Sequence, residues 1–409
     1  VAFADVILLN KTDLVPADAL ERIERRVRAI NATAKIFRTQ NANLPIDKVL
    51  NVGAFDLDRA LAVDAAFLEP LNVTLTLEEE KVVGAVLNQG YNHRGMEHAL
   101  SLDYRKSQYI SERVCGICSF HHSTAYCQGL ESIYGIDVPE RGRLIRTIMM
   151  ECQRLTSHLL ALGHIAESVG YENLFMQCFR ERELVMTLVN RISGNRVHYS
   201  MNVAGGVKRD ISPEGLKDIQ ATMSRLRPRL RELHRVFSRD RTLSKRTKGI
   251  GVLSNQAARE WGNVGPVSRA SGIPRDIRQD GFAAYSMVKF SPIVREEGDC
   301  YARMMVRMDE CLQSMDIIEQ CLPLIKDGPV AIQMKGHPKG EAYSRVEAPR
   351  GELVYFIRAN GKTALERIKL RTPALMNVAS LLAMLPGCQL ADVPTITVSV
   401  DPCICCTDR

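Results

Sequence analysis

Two Cys-x-x-Cys motifs constrain this chain more than any other feature: Cys115-Gly116-Ile117-Cys118 and Cys403-Ile404-Cys405-Cys406. Two thiolates at that spacing can grip one metal while the intervening amides point at sulfur. One motif lies early in the larger part of the chain, the other within its last residues. A zinc ribbon pairs its knuckles over roughly 15–20 residues, so the separation argues against a ribbon though not against zinc. From spacing alone, a structural zinc on four cysteines leads. A redox disulfide at either motif comes second, weakened because no thioredoxin-like βαβ surrounds them. Soft thiolates also suit nickel or iron.

The length, 409 residues, allows two or three domains, and 45% apolar with 25% charged residues is the composition of a globular protein. The longest apolar stretch, Pro373 to Pro386, is broken by Asn377 and Ser380, which excludes a membrane span but not a peripheral membrane subunit. No charged n-region with an apolar run opens the chain, so no secretion signal is read. Twelve cysteines are too few for a disulfide scaffold and suit thiols and metal ligands in a reducing, cytoplasmic compartment. The net charge of +7 is concentrated between Ser224 and Gly249, where ten Arg or Lys face only Glu232 and Asp240. Only Phe237 interleaves them, which argues against nucleic acid and for a solvated face or a rim that docks an acidic partner.

Two unlike pieces join near residue 69. Phe3 to Leu9 reads as a buried strand, Ala17 to Ile30 as a helix, and Ala34 to Phe37 as a second strand, a βαβ-like remnant of a larger α/β domain. From Leu71, alternating Leu71, Val73, Leu75 and Leu77, a polar turn at Glu78 to Lys81, and Val82 to Leu87 predict a β-hairpin. Helices then dominate. Leu144, Ile148, Cys152, Leu155, Leu159 and Leu162 give one long helix with a broad apolar face. Ser212-Pro213-Glu214 starts another, and Glu296 to Leu322 is a third, ended by Pro323, with Met304, Met308, Leu312 and Met315 as core filling. The expected fold class is α+β and predominantly α-helical.

The neighbours of the cysteines carry more. Arg113-Val114-Cys115-Gly116-Ile117-Cys118-Ser119-Phe120-His121-His122 and Asp401-Pro402-Cys403-Ile404-Cys405-Cys406-Thr407-Asp408-Arg409 resemble the paired signatures of nickel–iron hydrogenase large subunits. The final Arg in place of His is similar to the energy-converting, membrane-bound class. Gly90 to Glu97, Gly205 to Asp210, Gly265-Pro266 through Asp276 and Arg278, and Glu347 to Glu352 agree as well, so the resemblance spans about residues 69–409. Several blocks also resemble the large subunit beside the quinone site of respiratory complex I, a relative without the metal cysteines. All four cysteines are present here, which favours a metal site.

The resemblance implies a hydrogenase large-subunit fold with an N-terminal β-hairpin. It implies that Cys115, Cys118, Cys403 and Cys406 bind nickel, with Cys118 and Cys406 bridging to an iron carrying carbonyl and cyanide ligands. Cys403 would be the base that accepts a proton, His122 a hydrogen-bond partner of a bridging sulfur, and Arg350 and Asp401 a polar canopy over the iron ligands. Glu69 fits the glutamate that carries protons from the buried site. Glu97 stands where some relatives help hold a structural Mg or Fe near the C-terminus, and Arg409 in place of His puts that metal in question. His93 and His121 read as packing or hydrogen-bonding residues, Cys405 as a bystander. Cys127, Cys152, Cys178, Cys300, Cys311, Cys321 and Cys388 read as core residues. No remaining cysteines show cluster spacing. The resemblance then implies iron–sulfur clusters in a partner small subunit, ion translocation in membrane subunits, and electrons from a ferredoxin-type donor. The protein would sit on the inner face of the cell membrane. A non-catalytic, complex I-like quinone-site subunit with a structural zinc is the alternative. Relatives often shed a peptide beyond the final residue, so ending at Arg409 suggests a mature form or one without the extension.

Residues 1–68 have a resemblance of their own. Asn10-Lys11-Thr12-Asp13-Leu14 with Gly53 to Asp58 is similar to the CobW-type GTPase and metallochaperone family, where Asn10, Lys11 and Asp13 would read a guanine base. No Gly-rich phosphate loop accompanies them, so no GTPase activity is expected, and a truncated or misjoined reading frame is the favoured explanation.

Overall fold

The computed structural model describes residues 6–30, 35–40, 45 and 71–409. The chain divides between residues 70 and 71 into two compact units. In the first, β1 (Val6–Leu9), α1 (Ala17–Ile30) and β2 (Lys35–Arg38) form a strand–helix–strand with β1 and β2 parallel, Ile7 opposite Ile36. The expected burial of β1 is not met: Leu8 is 39% exposed. Among the described residues β1 and β2 form a two-stranded sheet, and a strand is buried on both faces only when layers cover both. Asn10 Oδ1 accepts from the Thr39 hydroxyl at 3.3 Å, tying the Asn-Lys-x-Asp loop to the end of β2. Residues 53–58 lie outside the described residues.

The second unit opens with the antiparallel hairpin of β3 (Asn72–Glu78) and β4 (Lys81–Asn88). Glu79 turns it in the left-handed region at φ 55°, and the register slips by one residue between Thr76 and Leu77. Leu71, Val73, Leu75, Ala85 and Leu87 pack on a cluster that includes Leu253, Val378, Leu381, Ile396 and Val400. The hairpin thus covers the segment leading into the second cysteine motif.

Helices make the body: α2 (Ser119–Tyr134), α3 (Glu140–Ser168), α4 (Glu172–Ser193), α5 (Pro213–Arg239) and α6 (Cys300–Cys321). The third helix begins at Cys300 rather than Glu296, because Asp299 caps it by accepting from Ala302 N at 2.7 Å. Met304, Met308 and Met315 are fully buried in the core, as are Leu155, Leu159 and Leu162; each fully buried leucine contributes roughly 1.5–3 kcal/mol. Helix α3 departs from the amphipathic reading. Its polar side is buried too, including Arg146, Glu151, Gln153, Arg154, Ser157 and His158. A sheet of β5 (Lys339–Ala348), β6 (Gly351–Asn360) and β7 (Arg367–Arg371), antiparallel in that order, lies against α2. The chain ends with α7 (Val393–Val400) and α8 (Ile404–Asp408). The observed class is α+β and predominantly helical. Cys127, Cys152, Cys178, Cys300, Cys311 and Cys321 are buried, whereas Cys388 is only half-buried.

Candidate metal centre

The two motifs, 288 positions apart, meet in one buried cluster. Cys115 follows a 3₁₀ turn, Ser111–Val114, and Cys118 is the N-cap residue of α2. That places its sulfur at the positive end of the helix dipole, which favours thiolate. The backbone N–H of Ile117 points at Cys115 Sγ from 3.3 Å. On the other side, Asp401 ends α7 in the left-handed region at φ 60°, and Cys403 is the N-cap of α8. Cys406 sits three residues on, one helical turn above it.

Cys115 Sγ lies 3.3 Å from Cys403 Sγ, and Cys118 Sγ 3.5 Å from Cys406 Sγ. A disulfide holds its sulfurs at about 2.05 Å, whereas two thiolates on one metal at about 2.3 Å each sit on the order of 3–4 Å apart. All four cysteines are free and buried, while Cys405 between them is exposed. The contacts split the thiols. Hydrogen bonding from Cys115 holds Cys118 and Cys403 well below the usual thiol range, and the same contacts push Cys115 and Cys406 well above it. Four buried sulfurs this close cannot all ionise without a cation between them. The donor set therefore fits a soft metal centre.

His122 Nε2 is 3.5 Å from Cys406 Sγ, and its Nδ1 is 2.7 Å from the Tyr355 hydroxyl. Burial pushes the Tyr355 phenol well above its ordinary range, so it stays protonated and has a proton to donate to Nδ1 in the tautomer with Nε2 protonated. That leaves Nε2–H to donate to sulfur. Arg350 Nη2 donates to Asp401 Oδ1 at 2.6 Å and its Nε to Asp401 O at 3.0 Å. Burial opposes the Arg350 charge, but Asp401 and the thiols of Cys403, Cys115 and Cys118 outweigh it and keep it protonated. The turn carrying Arg350 is fixed by backbone approach. Gly265 at φ 66° lies against it so closely that a Cβ there would stand 2.4 Å from Arg350 O. Asn377 Nδ2 donates to Arg350 O and to Val264 O, both at 3.1 Å.

Sequence reading assigned no role to the charges behind this canopy. Arg307 is fully buried; burial lowers its pKa to about 10 despite Asp401, whose Oδ2 is 4.0 Å from Arg307 Nε. Arg307 Nε and Nη2 and Asp401 Oδ2 have no hydrogen-bond partner, so donors and an acceptor remain free beside the cysteines. Further in, Arg269 pairs with Glu310 and Glu347 at 2.8 Å, Arg278 with Asp276 at 2.7 Å, Arg154 with Glu151 at 3.2 Å, and His158 Nε2 with Glu310 at 2.8 Å. Arg269, Asp276, Arg278 and Glu347 belong to blocks that stood out in the sequence. Arg154, His158, Arg307 and Glu310 sit inside helices whose apolar spacing hid them.

His121 Nδ1 pairs with Gln153 Oε1 at 2.9 Å, and His93 Nδ1 with Asp408 O at 2.7 Å. Glu97 accepts from Leu370 N at 3.0 Å and from Lys369 Nζ at 2.9 Å, with Arg409 Nε 3.7 Å away. Glu69 lies outside the described residues.

The family profile described as "Respiratory-chain NADH dehydrogenase, 49 Kd subunit" matches residues 168–336 and 331–409, and "Nickel-dependent hydrogenase" matches residues 94–168. The carbon monoxide-induced hydrogenase of Rhodospirillum rubrum is 38% identical over 348 residues, covering 84% of this chain and 96% of that protein. This chain belongs to the family of 49 kDa and nickel–iron hydrogenase large subunits. The membrane-bound hydrogenase subunit alpha of Pyrococcus furiosus is 36% identical over 360 residues, covering 83% and 84% of the two chains. A chain of the membrane-bound sulfane sulfur reductase, an archaeal respiratory membrane complex, superposes with a TM-score of 0.79 at 31% identity over 83% of this chain and 94% of that one. Among the described residues no helix is long and apolar enough to cross a membrane. The profile "CobW/HypB/UreG, nucleotide-binding domain" matches residues 1–38 only, a short basis for that resemblance.

Proposed function

We propose that the chain is the catalytic large subunit of an energy-converting nickel–iron hydrogenase, working as an H2-linked oxidoreductase with a low-potential, ferredoxin-type electron partner. The observation that carries this reading is the buried meeting of the four thiols of Cys115, Cys118, Cys403 and Cys406. Two hydrogenases among the relatives support it. All four thiolates would hold nickel, with Cys118 and Cys406 shared with an iron bearing carbonyl and cyanide ligands. When bound, that pair supplies reversible heterolytic cleavage of H2.

The chain's own residues have definable tasks. Cys403 Sγ would accept the proton; hydrogen bonding, from Cys115 first, and the charge of Arg350 favour its thiolate form, which leaves a lone pair on sulfur for that role. His122 Nε2–H steadies Cys406 Sγ, and Tyr355 fixes the tautomer that allows it. Arg350 and the unpartnered N–H groups of Arg307, both beside Asp401, would supply donors to anionic iron ligands. Glu69 receives the proton on its way out. Residues 69–409 carry this activity as one domain. Its partners are a small subunit with an iron–sulfur cluster and membrane subunits that translocate ions, which places it at the inner face of the cell membrane.

Metal analysis of purified protein tests the assignment: nickel and iron at one each per chain support it, and one zinc without nickel ends it. The second reading, a quinone-site subunit with structural zinc, draws on the 49 kDa profile over residues 168–336 and 331–409. Deleting residues 1–68 should leave nickel content unchanged, since none of the proposed ligands precedes Cys115; loss of nickel would give that segment a part in assembly.

A further inference from the structure

The tail that carries Cys403 and Cys406 is fastened at its end to the segment Gly90–Glu97 by hydrogen bonds between protein groups. Asp408 is 4% exposed, and its two carboxylate oxygens accept from Gly90 N at 2.9 Å and Asn92 N at 2.8 Å. The carbonyl of Asp408 accepts from His93 Nδ1 at 2.7 Å. One residue on, Arg94 bridges both cysteine motifs. Its Nη2 donates to Val114 O at 2.7 Å and to Cys405 O at 3.3 Å, and its Nη1 donates to Arg113 O at 3.0 Å. A planar guanidinium can reach several carbonyls at fixed angles, as a flexible ammonium cannot. Val114 precedes Cys115 and Cys405 precedes Cys406, so Arg94 couples the backbones that aim a thiol from each motif.

Glu97 closes the same segment. Both of its oxygens are engaged, by Leu370 N and by Lys369 Nζ, and the Arg409 guanidinium lies 3.7 Å from Oε1. The cleft beside it is lined by His93, His98, Lys369, Asp408 and Arg409. A divalent cation there would find Glu97 already shared with two cations and Asp408 already spent on two amides. The structural Mg or Fe that Glu97 holds in some relatives does not fit these residues.

We propose that a metal-free clasp, made of Asp408 and Arg409 against Gly90–Glu97 with Arg94 spanning the two motifs, keeps the tail closed over the cysteine cluster. The clasp goes beyond the hydrogenase reading and is the same whether the cysteines hold nickel and iron or zinc. It makes closure independent of magnesium. Breaking it frees the tail, whereas removing divalent cations from the medium does not.

Hydrogen exchange on the full chain, with and without added Mg²⁺, tests this, together with magnesium analysis of the purified protein. The expected result is no bound magnesium and identical exchange in residues 89–94 and 403–409 under both conditions. Replacing the charged acceptor in Asp408→Asn should speed exchange of the Gly90 and Asn92 amides roughly tenfold, the size of one weakened charge-assisted hydrogen bond. Magnesium bound at one per chain and lost in Glu97→Gln would overturn the proposal, as would protection of residues 403–409 that depends on Mg²⁺. Unchanged exchange at Gly90 and Asn92 in folded Asp408→Asn would overturn the role of Asp408. The wild-type arm needs no variant, so a misfolded substitution leaves the question decidable. Failure of the hydrogenase reading shows in the metal on the cysteines, a separate measurement.

Discussion

Arg350 and Asp401 form a buried pair at 2.6 Å, with Arg350 3% and Asp401 8% exposed, beside the four sulfurs. The pair binds the β5–β6 turn to the residue that opens the second cysteine motif. Removing one partner leaves the other charged and uncompensated. For Asp401→Ala, which also strands Arg307, denaturant unfolding should show a loss of about 3–5 kcal/mol. A loss under about 1 kcal/mol would mean that water already screens the pair.

Gly265 and Gly351 meet backbone to backbone under Arg350. In Gly265→Ala the new Cβ would stand 2.4 Å from both Arg350 O and Gly351 Cα, atoms that cannot swing away. Destabilisation of about 3 kcal/mol and loss of bound metal are expected. Gly361→Ala is the control: its φ of 80° is also positive but its surroundings are open, so only the conformational cost of about 1–2 kcal/mol applies. Equal melting temperatures for the two variants would contradict the close-approach argument.

Glu347 gives a pH signature. Burial raises its pKa to about 7, with Asp276 pushing the same way and Arg269 and Arg154 opposing. Glu310 faces it across the shared Arg269. A carboxyl whose folded pKa is raised binds its proton more tightly folded than unfolded. Its contribution to stability is therefore full below the ordinary value of 4.5 and is lost as pH rises through about 7. His121 and His158, lowered by burial to about 3 and about 4, act oppositely, gaining stability with pH over much of the same window. The test is thus a difference. Between pH 4.5 and about 7, stability of Glu347→Gln should rise with pH more steeply than that of the wild type; parallel curves would show Glu347 ionised throughout.

Much of this was legible in the sequence because it rests on local patterns. The hairpin follows from alternation at Leu71 to Leu87, and the Ser212 cap and Pro323 stop mark real helix ends. The cysteine motifs announce themselves by spacing. The charges behind the canopy did not, since Arg154, His158, Arg307 and Glu310 occupy helix positions that periodicity assigns to solvent. Only the packing of α3 against α6 shows that side to be interior. A helix buried all round can hold charge where opposite charges from other elements meet it, and pairs such as Arg269 with Glu310 arise across long stretches of chain. The role of Asp408 was hidden likewise, because its partners are the backbone amides of a loop more than three hundred residues away.

Infrared spectroscopy of the purified protein tests the central claim most directly. A nickel–iron centre on Cys115, Cys118, Cys403 and Cys406 predicts stretching bands of iron-bound carbonyl and cyanide, moved in frequency by Arg307→Met as donors near those ligands are withdrawn. Protein that carries zinc on the four cysteines and shows no such bands would contradict the account.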